Sequence, residues 1–105
     1  MKIINTTGES ITIKGTTIRA NKKEEIKIEF KVVTGTVTGT DIPCRVSILK
    51  TPKLPKQTSG VLYIVSKEVF EAYNTSRSDF CMAVETNREN KEEAYLYGCR
   101  LLAVA

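Results

Sequence analysis

The chain has 105 residues, 41% of them hydrophobic and 27% charged, with a formal net charge of +4 and no histidine. That length fits one domain around a single core, with an expected radius of about 13 Å, and the missing histidine excludes Ser-His and Cys-His nucleophile pairs. No apolar run approaches the ~18 residues of a membrane-spanning helix, and the start turns polar by Asn5, before the ~7–15 apolar residues of a secretory signal, so a cytoplasmic protein is expected.

Taken in order, "KIIN" and "SITIK" are two short β-type runs separated by "TTGE", a stretch of the kind that closes a hairpin. Ile26, Ile28, Phe30 and Val32 then alternate with Lys27, Glu29 and Lys31, which predicts a strand with one wet face. "TGTVTGTDIP" reads as an edge strand or bulged loop, because Pro43 cannot donate to a central ladder. Alternation resumes through Cys44, Val46 and Ile48, and "TPKLPKQTS" predicts a surface connection held partly extended by Pro52 and Pro55.

Val61 to Val65 is continuously apolar, which predicts a central strand covered on both faces. Ser66 follows it and precedes "KEVFEAY", where Val69, Phe70 and Tyr73 can share one face of a short helix near residues 67–74. Serine is a preferred N-cap, since its oxygen accepts from a free amide of the first turn, and Glu68 suits the positive end of the helix dipole. Beyond the loop "NTSRSD", "FCMAVET" predicts a strand and "NRENKEE" a polar turn. "AYLYGCRLLAVA" predicts a last strand, in which Gly98 suggests a bulge or a close backbone approach. The expected fold is α+β and mostly β: a single domain with a small antiparallel or mixed sheet, or a partly open barrel, and one short helix.

The charge is uneven. Residues 1–53 hold ten Lys/Arg against five Asp/Glu, and residues 54–105 hold six against seven. Because the lysines of "EEIKIEFKVV" alternate with apolar residues, they read as the solvated face of a sheet. Nucleic-acid binding is unsupported, because it would call for a basic face interleaved with aromatic platforms, and tryptophan is absent. Cys44, Cys81 and Cys99 are an odd number without CxxC spacing and lie in apolar segments, so buried free thiols are expected rather than disulfides.

The succession of "NTT" near the start, then "LP", "GVLYIVSKEVFEAY", an Arg-x-Asp loop and "YGCRLL" resembles a family of small uncharacterised proteins of bacteriophages, prophages and bacterial genomes. The positions that carry the resemblance are Asn5, Thr7, Leu54, Pro55, Gly60, Tyr63 to Ser66, Val69, Ala72, Arg77, Asp79, Gly98 and Arg100. Where that family has Pro-His after its threonine this chain has Gly8-Glu9, and the loop after Asp79 is apolar here instead of proline-bearing. The resemblance implies a phage or mobile-element setting and no particular activity.

The candidate binding residues are Ser66, Arg77, Asp79, Tyr95, Tyr97 and Arg100. Ser66 joins a hydroxyl to the free amides of a helix start, a geometry that suits an anion as well as a simple cap. Arg77 and Asp79 lie two apart in a loop expected to return near that helix start, as an ion pair or as ligand contacts. Tyr95 and Tyr97 share one face of the last strand, and Arg100 stands beside Cys99, whose thiolate a cation would favour. No catalytic set, metal site or cofactor is indicated. The expectation is a non-enzymatic accessory protein that binds a host or phage protein, such as a host defence protein, or a small anionic ligand. The alternative is a structural or decorating virion protein, with homo-oligomerisation an option and no membrane partner.

Overall fold

The computed structural model describes residues 1–85 and 94–100, so the expected polar turn "NRENKEE" and the "LLAVA" end of the expected last strand lie outside the described residues. Its elements are β1 (Lys2–Asn5), β2 (Ile11–Ile13), β3 (Thr16–Ile18), β4 (Phe30–Thr36), β5 (Pro43–Leu49), β6 (Val61–Ile64), α1 (Lys67–Tyr73), β7 (Phe80–Val84) and β8 (Tyr95–Tyr97). The fold is α+β and rich in strands, with mixed and antiparallel sheets and, among the described residues, no closed barrel. Among the described residues no helix is long and apolar enough to cross a membrane.

The main sheet has the order β1-β6-β7-β8. β6 lies between two parallel partners, β1 (Ile4 opposite Tyr63) and β7 (Tyr63 opposite Phe80), and β8 closes the sheet antiparallel to β7. The unbroken apolar run of β6 corresponds to this central place, because strands of a parallel sheet are covered on both faces. One face holds Ile4, Ile26, Tyr63, Val65, Val69, Phe70 and Phe80, with α1 packed on it. The other holds Leu62, Ile64 and Cys81, covered by Ile11 and Ile18 of the β2–β3 hairpin and by Leu96 and Cys99.

At seven residues, α1 falls below the roughly 12–15 needed for an isolated helix to persist in water, so packing holds it. Val69 and Phe70 are buried, worth about 1.5–3 kcal/mol each. Ser66 is the N-cap, with its Oγ accepting from the Val69 amide at 3.4 Å. Val65 before the cap and Phe70 within the helix belong to the same core cluster, the arrangement of a hydrophobic staple.

Two expected pairings change. The first two strands do not form a hairpin through "TTGE": β1 pairs in parallel with β6, and β2 pairs with β3 instead. Lys14 and Gly15 both take positive φ, 50° and 74°, between the paired residues Ile13 and Thr16. Successive positive φ values are what a two-residue type I′ turn requires, so the hairpin closes there.

The alternating run from Ile26 to Val32 is also divided. Ile26 is buried, its amide bonded to the Thr6 carbonyl at 3.0 Å, and Ile28 packs on the same core. Phe30 and Val32 instead begin β4, which pairs with β5 in an arm where every residue but Leu49 is exposed. The expected single wet face is therefore wrong for β4, since both faces meet solvent. The radius of gyration is 17.1 Å and the extents are 56 × 38 × 27 Å, against about 13 Å for a compact chain of this length.

Gly98 has φ +82°, and a Cβ built on it would clash with the Cζ and Cε2 edge of the Phe70 ring. Close approach of the β8 end to α1 thus needs this glycine. Gly98→Ala is expected to lower stability by about 1–3 kcal/mol, combining left-handed strain with an overpacked aromatic contact, as measured by urea denaturation.

Candidate functional site

Because β6 and β7 run parallel, the helix that joins them carries the chain from the carboxyl end of β6 back to the amino end of β7. Ser66 therefore lies at one end of the sheet and the Arg77–Asp79 loop at the other. The shared Ser66–Arg77 region expected from loop reach does not form, because a parallel pair has to be entered from the opposite end.

Arg77 and Asp79 hold one another. Arg77 Nε donates to Asp79 Oδ1 and Nη2 to Oδ2, both at 2.9 Å, a bidentate pair whose side chains are 15% and 3% exposed. The guanidinium also stacks 4.3 Å from the centre of the Phe80 ring. Asp79 continues into the ladder, its carbonyl accepting from the Tyr63 amide at 2.8 Å. With its fork occupied on one side and its plane on an aromatic face, Arg77 anchors the loop to the core.

Ser66 lines a cleft of about 550 Å³ at the carboxyl ends of the parallel strands, together with Thr7, Glu9, Ser10, Lys67 and Glu85. Open sheets gather ligand sites at such ends. Sequence reasoning reached only Ser66 here. Thr7 and Glu9 belong to the expected hairpin turn and Ser10 to the β-type run after it, and the parallel return of β6 beside β1 is what brings them to the cleft.

Thr7 and Glu9 of that lining are tied to a buried polar junction at the end of β1. Asn5, 1% exposed, donates from Nδ2 to the carbonyls of Glu9 and Ile18, at 2.6 and 3.1 Å. Its Oδ1 accepts from the amide and hydroxyl of Thr7 at 3.0 and 2.6 Å. Thr6, equally buried, donates its hydroxyl to the Ile64 carbonyl at 2.7 Å. Among the described residues no buried side-chain polar atom lacks a partner. The "NTT" signature thus has a packing role that its polarity concealed.

Tyr97 is exposed but sets its ring edge-on to Phe70 at 5.8 Å, beside the equally exposed Tyr95. These two tyrosines border α1 on the helix-covered side of the sheet. Arg100 is exposed after β8. Neither the tyrosines nor Arg100 lines the cleft beside Ser66.

Among the described residues, seven of the eleven exposed large hydrophobic side chains lie on the β4–β5 arm. Directly opposed residues share a face of an antiparallel pair and successive residues alternate. From the register, Val33 and Val46, Gly35 and Cys44, and Lys31 and Ile48 therefore occupy one face. Val37 and Ile42, joined by a 3.0 Å amide-to-carbonyl bond, extend it toward the tip. Ile42 is 60% exposed, Val46 52% and Ile48 50%. Phe30 and Val32 are exposed on the opposite face, so the arm has apolar surface on both sides near its base.

All three cysteines are free, but their expected common burial does not hold. Cys81 is fully buried, and burial, with the neighbouring Cys99 sulfur adding to the effect, pushes its thiol up to about 12. Cys99 is half-buried and Cys44 exposed. The alternation of β5 matches that of a half-buried strand, yet no layer covers the Cys44 face among the described residues.

Two measurements check these assignments. Asp79→Ala is expected to destabilise the fold by about 3–5 kcal/mol in denaturant unfolding, because it strands the Arg77 charge against Phe80, with the double change to a hydrophobic pair less harmful. Timed thiol labelling of native protein should modify Cys44 rapidly and leave Cys81 untouched, including at pH 10, below the pH at which its thiol ionises in the folded state.

Comparison with protein-family models, with curated proteins and with solved structures finds no match to this chain.

Proposed function

We propose that this chain is a non-enzymatic binding protein whose working surface is the β4–β5 arm, and that it serves as an accessory protein of a phage or mobile element with a host or phage protein as partner. The observation that carries the reading is the uncovered apolar face of the arm, with Val33, Val46 and Ile48 at its centre. Contiguous apolar surface of this kind on a small protein marks contact with another macromolecule, since burying it supplies about 25 cal/mol per Å². The missing histidine supports a role without chemistry. The order of motifs from "NTT" to "YGCRLL" supports the mobile-element setting by resemblance.

An anionic small-molecule ligand at the cleft beside Ser66 has less support. Lys67 is offset there by Glu9 and Glu85, so the lining offers an anion no net positive charge. A structural role in a virion is the second reading, favoured by the free strand edges of the arm, which invite assembly.

The two surfaces separate by substitution. Affinity capture from host lysate, quantified for the wild type, for Val46→Asp with Ile48→Asp, and for Ser66→Ala with Lys67→Ala, is expected to lose its partner with the arm variant and keep it with the cleft variant. Retention by the arm variant, with its circular dichroism unchanged, would assign binding elsewhere.

A further inference from the structure

We infer that the arm pairs with a second copy of this chain, the free edge of β4 joining the same edge of its partner antiparallel about a two-fold axis at Val33. The inference rests on the reading of the arm as the binding surface: the second copy takes the β4 edge, and the apolar face stays open to the host or phage protein.

The ladder bonds of the hairpin determine which edge is open. Lys50 donates its amide to Glu29 at 2.9 Å, and Val37 donates to Ile42 at 3.0 Å. In an antiparallel pair the hydrogen-bonded positions alternate, so the odd-numbered residues of β4 bond to β5. The amides and carbonyls of Phe30, Val32, Thr34 and Thr36 then point away from it. Correspondingly, Pro43, Arg45, Ser47 and Leu49 point away from β4 along the outer edge of β5.

These two edges are not alike. The outer edge of β5 begins with Pro43, which has no amide hydrogen to give, and continues with a charged residue, Arg45. Both are devices that discourage edge pairing. The outer edge of β4 has no proline, and the one charge of the strand, Lys31, sits at a position whose amide and carbonyl bond to β5. Its outward residues are Phe30, Val32, Thr34 and Thr36, uncharged and of high β propensity. Among the described residues no strand pairs with it.

β4 is complementary to itself in one register. Seven residues centred on Val33 pair antiparallel with a second copy so that Phe30 meets Thr36 and Val32 meets Thr34 of the partner strand, at the positions whose amides and carbonyls are free. Lys31, the one charge in the strand, meets Gly35 of the other copy, which leaves room for its stem and sets no like charge opposite it. Val33 meets its own symmetry mate. The product is a four-stranded sheet in the order β5-β4-β4-β5, with the protected β5 edges outermost and the apolar faces of the two arms joined. A two-stranded ribbon is marginal in water, and three or more strands with an apolar face are the usual minimum. A pairing that uses the same surface twice closes on itself, so it ends at a dimer.

The test uses the intact chain in sedimentation velocity across a hundredfold range of concentration. Wild type is expected to rise from the mass of the 11.7 kDa chain toward twice that value. Val33→Lys sets two cations face to face at the axis and Val33→Glu two anions, so each alone should stay monomeric, and an equal mixture of the two should dimerise. Because Val33 is exposed, both variants should keep the wild-type circular dichroism. Val46→Lys lies on the same face but one strand away from the axis and should still dimerise. Loss of the dimer in Val46→Lys with retention in Val33→Lys would overturn edge pairing in favour of face packing. A wild type that stays monomeric throughout would overturn the self-pairing. The wider reading of the arm as a protein-binding surface would then stand or fall by the capture experiment alone.

Discussion

Burial of β6 on both faces is the constraint on which the fold depends. A strand that reads Val-Leu-Tyr-Ile has no side to show to water, so the chain has to supply two covers and two flanking strands. α1 and the segment around Ile26 supply one cover, and the β2–β3 hairpin supplies the other. Everything compact in the molecule is arranged about that strand. Residues 30–48, which have no place in either layer, stand in solvent.

Covering two faces with short elements brings polar backbone into the interior, and the Asn5–Thr6–Thr7 junction satisfies it. One asparagine side chain bridges the end of β1, the turn toward β2 and the carbonyl that ends β3. The net worth of each such bond is about 1 kcal/mol, while leaving the buried groups unpaired would cost more. The junction therefore specifies how the hairpin docks more than it adds stability. The Arg77–Asp79 pair does similar work at the opposite end, where it orients the return into β7.

These anchors bear on function by subtraction. Ser66 caps a helix, Arg77 and Asp79 satisfy each other, and Tyr97 leans on Phe70. The residues with the most suggestive chemistry are thus largely engaged within the fold. Among the described residues, the surface left without internal partners is largely apolar and lies on an arm with free strand edges, and on it the proposed function rests.

Local physics made much of this legible from the residues alone. The continuous apolar run placed β6 at the centre, the serine and the spacing of Val69, Phe70 and Tyr73 placed the helix, and Gly98 signalled a close approach that Phe70 supplies. What sequence could not decide were the long-range pairings. Alternation in Phe30–Val32 and in Cys44–Ile48 states which side chains share a face, and it is the same whether that face meets a core or water. The partner of β1 is a strand more than fifty residues away, and only that parallel return shows that Thr7 and Glu9 border a cleft instead of closing a hairpin. Periodicity is a property of neighbours along the chain. Burial depends on which distant segment arrives to cover them, and that is decided by tertiary packing.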